Sequence, residues 1–172
     1  MGDCQKSDLR VSFDSRLKLK FLGSQVTTDA GLLAYRELDE AFGLTGMASD
    51  VLTDSRQGSN KQHGLLPLLR QSIYSRLAGY EDVNDAERLC VDPAMRHVVG
   101  GRASQPEKQA ASTSEVGRFE TETLSTKSNL TALMDLSGHW IDQVQQRQPL
   151  KQLILDLDSS VSETYGKPEG TA

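Results

Sequence analysis

The order of hydrophobic and polar positions predicts one short strand region followed mainly by helices. In residues 11–22, apolar and basic side chains alternate, as expected of a half-buried strand. The apolar face carries Leu17, Leu19 and Phe21. The basic face carries Arg16, Lys18 and Lys20. We expect this strand to pair with residues 11–13 and form a small N-terminal β-hairpin.

Helical periodicity follows over most of the chain. Glycine, proline and capping patterns set the ends of the predicted helices. Thr27 or Thr28 should cap the first helix, and Gly43 should end it. Capping boxes are predicted at residues 84–87 and 112–115. The predicted helices cover about residues 28–42, 44–52, 65–78, 93–99, 113–123 and 128–146, with a further short helix from residue 84.

The predicted helices should share one apolar core. Apolar side chains at helical spacing provide its expected members. These are Leu66, Leu69, Ile73, Leu77, Leu89 and Leu133. Arg76 falls inside the same stripe, so it should pair with an acid such as Asp82 or Asp85.

A second strand is predicted near the end of the sequence. Leu153, Ile154, Leu155 and Leu157 form an apolar run too short for a helix. Asp156 and Asp158 lie two residues apart, so both carboxylates project from the same face of an extended chain. Carboxylates on a buried strand need a charged partner, and a divalent metal ion is one such partner.

Charge and composition limit the classes of function. The 172 residues carry a net charge of −5, which excludes a uniformly basic nucleic-acid-binding surface. The N-terminus lacks the apolar stretch of a secretion signal, and no run of 18 apolar residues suggests a membrane span. We expect a cytoplasmic protein.

Several motifs, in order, resemble those of DDE transposases of bacterial insertion sequences. Together they extend over about residues 10–172. They are Thr28-Asp-Ala-Gly-Leu-Leu33, Leu69-Arg-Gln-Ser-Ile-Tyr74, Gly79-Tyr-Glu-Asp-Val-Asn-Asp85, Asp92-Pro-Ala-Met-Arg96, Ser114-Glu-Val-Gly-Arg-Phe-Glu120, Leu155-Asp-Leu-Asp-Ser-Ser160 and Thr164-Tyr-Gly-Lys-Pro-Glu-Gly170. In this family Gln usually precedes the final Glu-Gly, where this chain has Pro168.

The resemblance implies a fold and a division of the chain. The expected fold is α+β and mostly α-helical: a small N-terminal β-hairpin, a helical cluster, and the first strand of an incomplete ribonuclease H-like domain. Residues 1–10 are expected to form a flexible tail. Residues 11–148 would be a mostly helical DNA-binding region, and residues 149–172 the start of a truncated catalytic domain.

The resemblance also implies a chemistry. The family's acidic residues bind Mg²⁺ or Mn²⁺ for DNA cleavage and strand transfer, and Asp158 corresponds to the first acid, with Asp156 as the alternative. The second and third acids are expected beyond residue 172, so we expect this polypeptide to bind metal weakly and to be inactive alone.

The resemblance implies DNA as the partner, specifically the terminal inverted repeats of the element, and a bacterial protein that associates with the nucleoid when bound to DNA. Basic side chains in the strand and at helix starts are the candidate contacts. They are Arg16, Lys18, Lys20, Lys61, His63 and Arg118. The alternatives are a regulatory module without catalysis, which binds DNA or full-length transposase, or a non-functional remnant. Association with a second copy of the chain is also expected.

Overall fold

The computed structural model has seven α-helices among the described residues, and several of their ends follow local sequence signals. The structure describes residues 9–19, 29–56, 61–101, 108–147, 149–152 and 154. The helices are α1 (Leu32–Phe42), α2 (Leu44–Val51), α3 (Leu65–Leu77), α4 (Ala86–Leu89), α5 (Pro93–Val98), α6 (Thr113–Arg118) and α7 (Lys127–Arg147). A 3₁₀ turn (Val83–Asp85) precedes α4, and a π-helix (Phe119–Leu124) continues α6.

The strand content is small. Strand β1 (Leu9–Arg10) pairs antiparallel with β2 (Lys18–Leu19), with Leu9 opposite Leu19. Residues 11–17 form the loop between them, so the predicted pairing through residues 11–13 is wrong. A ladder of two residues on each strand does not confirm the predicted half-buried hairpin.

Several predicted helix ends are confirmed. Gly43 ends α1 with a φ of 72°, a left-handed conformation that glycine adopts without a Cβ penalty. The Asp92 carboxylate accepts the Met95 N–H at 2.8 Å, with Pro93 in the first turn of α5. The capping box at residues 112–115 is also present at the start of α6.

Two predictions about helix starts require correction. The structure begins α1 at Leu32 after a turn, while Thr27 and Thr28 lie outside the described residues. The predicted capping box at residues 84–87 is wrong. Asp82 caps this region instead, because its carboxylate accepts the Asn84 N–H at 2.8 Å and starts the 3₁₀ turn.

Helix α3 lies between two groups of buried side chains. It packs against α1, α2, α5 and α6. One group includes Leu68 and Leu69 and is completed by Ala48, Leu52, Ala86, Ala111, Val116, Phe119 and Leu136. The other includes Tyr74 with Leu32, Leu89, Cys90, Met95, Val98, Val99 and Ala110. Because α3 contacts neighbours on several sides, its buried surface is wider than one apolar stripe.

The predicted core is therefore only partly correct. Leu69 and Leu89 are buried, and Leu66, Ile73 and Leu133 are half-buried. Leu77 is 48% exposed, so its predicted place in the core is wrong.

The predicted partner of Arg76 is also wrong. Its guanidinium forms a bidentate ion pair with Glu120 rather than with Asp82 or Asp85. The NH1–Oε1 distance is 2.7 Å and the NH2–Oε2 distance is 2.9 Å. Ser72 donates a further hydrogen bond to Glu120 at 2.6 Å. The pair joins α3 to the π-helix, because Arg76 lies on α3 and Glu120 lies on the π-helix.

A buried carboxylate holds the first three helices together. Asp39 on α1 accepts hydrogen bonds from the Thr45 N–H at 2.7 Å and the Tyr74 hydroxyl at 3.1 Å. The guanidinium groups of Arg36 and Arg70 lie 3.4 and 3.6 Å from the same carboxylate. Burial, with Asp39 nearby, raises the pKa of Tyr74, so its hydroxyl keeps the proton that it donates.

Asn129 on α7 fixes another segment. Its side-chain amide pairs with both backbone groups of Thr53, at 2.8 and 2.9 Å. Its amide nitrogen also donates to the carbonyl of Thr123 at 2.8 Å. These bonds join α7 to the segment after α2 and to the end of the π-helix.

The final predicted strand remains largely outside the structure. Of residues 153–158, Ile154 is described; it is 80% exposed and lies in no described strand. Asp156 and Asp158 lie outside the described residues. Among the described helices, none is both long and apolar enough to cross a membrane.

Candidate nucleic-acid interface

The first predicted DNA contact, Arg16, lies in the loop between β1 and β2. Its guanidinium is exposed and donates to both carboxylate oxygens of Asp14, at 2.6 and 2.9 Å. Hydrogen bonds from Arg16 hold the pKa of Asp14 well below its usual range. Lys18 lies on β2 opposite Arg10, but its side chain and all of Lys20 lie outside what the structure describes. Of the predicted basic row, Arg16 is therefore the member whose side chain the structure describes.

Lys61 lies just before α3, next to a second arginine–aspartate pair. Its ammonium group is 3.4 Å from Asp54, and Arg56 binds the same carboxylate at 2.8 Å. Hydrogen bonds from Arg56, with a smaller contribution from Lys61, lower the pKa of Asp54 to about 2. Lys61 is exposed, so it can exchange this partner for a phosphate.

His63 connects three segments of the chain. Its Nδ1 lies 3.1 Å from the Glu115 carboxylate, and its Nε2 lies 3.1 Å from the carbonyl of Gln109. Burial raises the pKa of Glu115, but hydrogen bonds from His63 and from the Ser112 N–H outweigh it and leave the pKa below its usual value. His63 thus holds residues 108–112 and the start of α6 against the start of α3.

These contacts surround a groove, which we name the His63 groove, with a volume of about 580 Å³. Its lining comes from the start of α3, the end of α5, and the segment that leads into α6. The lining residues are Gln62, His63, Gly64, Pro67, Arg96, Val99, Gly100, Gly101, Lys108, Gln109, Ala110, Ser112 and Glu115.

A second concave site, the Arg16 cavity, has a volume of about 490 Å³. It is lined by Ser12, Phe13, Asp14, Ser15, Arg16, Arg36, His97, Gly100 and Gly101. Gly100 and Gly101 line both sites, so the two sites are adjacent. An added Cβ at Gly101 would lie 2.4 Å from the carbonyl oxygen of Arg96, so the wall between them requires glycine there.

The structure adds basic groups that the sequence prediction missed. Arg96 and Lys108 line the His63 groove, and the Arg96 Nε donates to the carbonyl of Lys108 at 2.8 Å. Arg36 lines the Arg16 cavity. A usable signal existed for Arg96, because it ends the motif Asp92-Pro-Ala-Met-Arg96. Arg36 and Lys108 lie in none of the motifs that resemble those of the transposases, so no sequence signal indicated them.

Arg118 is exposed on α6, where its Nε donates to the carbonyl of Ser114 at 3.2 Å. It lines neither concave site. The structure thus brings Arg16 and His63 to adjacent sites but leaves Arg118 apart from them.

Helix α3 begins beside the His63 groove. Gly64 occupies the N-cap position, and no side chain caps this end. The N–H groups of Leu65 and Leu66 lie in the first turn, where Pro67 has no N–H to give. Such an end favours anions, because its unpaired N–H groups carry partial positive charge.

Within the described ranges, no group of three or more His, Cys, Asp or Glu side chains could hold a metal ion. The motif with Asp156 and Asp158 lies outside these ranges.

Comparison with known proteins decides the family. The model of the family described as Transposase DDE domain group 1 matches residues 9–172. The chain belongs to this DDE transposase family. No curated protein and no solved structure shows significant similarity to it.

Membership of the DDE transposase family confirms the resemblance drawn from the motifs. The match covers every described helix and also the segment with Asp156 and Asp158. The family implies DNA as a partner and typically uses divalent metal ions.

Proposed function

We propose that this DDE transposase binds the terminal inverted repeats of a bacterial insertion sequence through the His63 groove and the Arg16 cavity. The observation that carries this proposal is the adjacency of the two sites. It brings together basic residues that are far apart in sequence. These are Arg16, Arg36, His63, Arg96 and Lys108.

The electrostatics of the chain require such a local site. A net charge of −5 repels a polyanion at long range, so binding must come from short-range contacts to phosphates. Arg96 and Lys108 supply cationic groups in the groove, which lies beside the start of α3. Contacts of this kind position DNA without reading its bases. Lys18, Lys20, Lys61 and Arg118 are proposed as further phosphate contacts at its margins.

The division of the chain follows the same proposal. Residues 11–148 form the DNA-binding region, and strand β1 (Leu9–Arg10) joins it by pairing with β2. Residues 149–172, with Asp158, belong to a ribonuclease H-like catalytic domain. The structure supports the first of these by placing both concave sites within residues 12–115.

Asp158 is proposed as the first metal-binding acid of the DDE set, with Asp156 as the alternative. Metal ions in such sites stabilise charge on the oxygens of a phosphodiester under attack. Carboxylate oxygens suit Mg²⁺ or Mn²⁺. We expect Mn²⁺ to broaden the NMR signals of residues around Asp158, and Asp158→Asn to remove this effect. Equal broadening in that variant, with loss in Asp156→Asn, would reassign the acid to Asp156.

The DNA proposal is tested with labelled duplexes. One duplex carries the terminal inverted repeat, and the other has the same base composition in scrambled order. We expect tighter binding to the repeat, and this preference must come from base contacts other than the phosphate contacts named above. Lys108→Gln should weaken binding to both duplexes, while Lys127→Gln, an exposed lysine on α7 outside both sites, should leave it unchanged. Undetectable binding at low salt would instead favour a module that binds full-length transposase.

A further inference from the structure

Two buried side chains line the Arg16 cavity, and each has one nitrogen without a hydrogen-bond partner among the described residues. The side chains of Arg36 and His97 are only 8% and 9% exposed, and both residues line the cavity. Among the described residues, neither the Arg36 Nε nor the His97 Nε2 has a hydrogen-bond partner. A buried polar group without a partner is destabilising, so such groups are usually paired with protein, water or ligand.

Asp14 does not satisfy His97. Its Oδ2 lies 3.5 Å from the His97 Nε2, which is an ion-pair distance but too long for a hydrogen bond. We give more weight to the missing hydrogen bond, since Asp14 already accepts three bonds from Arg16. These come from the backbone N–H at 3.0 Å and the guanidinium at 2.9 and 2.6 Å.

The Arg36 Nε and the His97 Nε2 can both act as hydrogen-bond donors. Burial lowers the pKa of His97; Asp14 acts in the opposite direction, and Arg16 adds to the lowering. The ring is therefore neutral near pH 7, and the tautomer with its proton on Nε2 donates one N–H. Phe13 packs against both side chains, with its ring centroid 5.6 Å from the centroid of the His97 ring and 4.8 Å from the Arg36 guanidinium carbon.

The ion pairs of Arg36 leave its Nε without a partner among the described residues. Its NH1 group faces acids, 2.8 Å from Glu40 and 3.4 Å from Asp39. The Nε lies on a different edge of the guanidinium and takes no part in these ion pairs. An oxyanion with several acceptor oxygens could therefore accept from Arg36 and His97 together, while exposed Arg16 approaches a third oxygen.

We propose that the Arg16 cavity binds one backbone phosphate of DNA, with Arg36 Nε and His97 Nε2 as buried donors and Arg16 at the mouth. This assignment rests on the proposed DNA binding. The cavity is adjacent to the His63 groove at Gly100 and Gly101. A strand lying along the groove can thus place a phosphate in the cavity.

The direct test follows the histidine ring signals of the 172-residue chain by NMR. The chain is titrated with inorganic phosphate and, separately, with sodium chloride at the same ionic strength. We expect a saturable shift of the His97 signals with phosphate and not with chloride. His139, exposed on α7, is the internal reference and should not respond. A His97 response no larger than that of His139 overturns the assignment.

A variant pair checks the donors. His97→Leu, which has no donor, should weaken phosphate binding by roughly tenfold or more, the loss expected for one hydrogen bond to a charged group. His139→Leu is the matched control and should bind as the parent chain does. Arg16→Gln should also weaken binding, and since Arg16 is exposed this variant tests the site without disturbing the core. Unchanged affinity in both His97→Leu and Arg16→Gln contradicts the proposal.

A DNA arm separates the two sources of phosphate. A short duplex should produce the same His97 shift as inorganic phosphate. If the duplex binds without shifting His97, the cavity assignment fails and the proposed DNA binding stands. If phosphate shifts His97 but the duplex does not bind, the proposed DNA binding fails, and DNA as the source of the phosphate fails with it.

Discussion

The side-chain amide of Gln71 pairs with both backbone groups of Ala111. The Gln71 Nε2 donates to the Ala111 carbonyl at 2.7 Å, and the Ala111 N–H donates to the Gln71 Oε1 at 2.7 Å. Both residues are buried, and 40 positions separate them in sequence. The pair attaches residues 108–112, which form one wall of the His63 groove, to the middle of α3.

Gln71→Ala should therefore destabilise the fold. It leaves the N–H and carbonyl of Ala111 buried without partners, which costs about 1–3 kcal/mol. Urea unfolding measures the loss, and amide exchange at Ala111 should become faster. Thr131→Ala is the control, because Thr131 is exposed on α7 and its hydroxyl bonds only to the carbonyl of Lys127 in its own helix. Equal stability of the two variants would show that the Gln71 pair contributes nothing.

Two leucines on α3 should respond very differently to truncation. Leu69 is 2% exposed, so Leu69→Ala should cost about 2–5 kcal/mol through lost burial and a cavity. Leu77 is half exposed, and Leu77→Ala should cost much less. Thermal unfolding of both variants tests the position of the core. Similar losses would indicate that α3 is rotated relative to its neighbours in the structure.

The pair of Arg76 and Glu120 should make stability depend on pH. Its hydrogen bonds lower the pKa of Glu120 below the usual value of 4.5. The folded state then favours the ionised carboxylate, so the contribution is complete above the unfolded pKa. It is lost as the pH falls through the lower, folded pKa.

Glu120→Gln should accordingly reduce the free energy of unfolding at pH 7 and reduce it by less near pH 3. Urea unfolding at the two pH values measures the difference. Glu122→Gln, two residues away and exposed, should show no comparable pH dependence. A loss of the same size at both pH values would mean that packing, rather than the ion pair, accounts for the effect.

Helix ends were more predictable from the sequence than helix faces. Gly43, Asp92 and the capping box at residues 112–115 act on neighbouring backbone groups, so a short stretch of sequence contains the whole signal. Buried faces depend on distant partners. Gln71 is buried because Ala111 meets its amide, and no periodicity within α3 could indicate this.

The candidate site was predictable only as separate residues. Arg16 and His63 stood out as basic groups, but their adjacency depends on Gly100 and Gly101 at the end of α5. Arg36 was missed because a charged residue on an amphipathic helix is usually exposed, whereas its ion pair with Glu40 and its contact with Asp39 hold it inside. Asp158 was found from its motif and remains a prediction.

The central claim is that DNA phosphates bind along the His63 groove and the Arg16 cavity. The most direct measurement is the salt dependence of the binding constant for end DNA. Each phosphate contact contributes a slope of about −0.9 in log K against log salt. Removing Arg16 and Lys108 together, as Arg16→Gln and Lys108→Gln, should make the slope shallower by about 1.8. Lys127→Gln should leave the slope unchanged. An unchanged slope in the double variant, or no binding at low salt, would contradict the account.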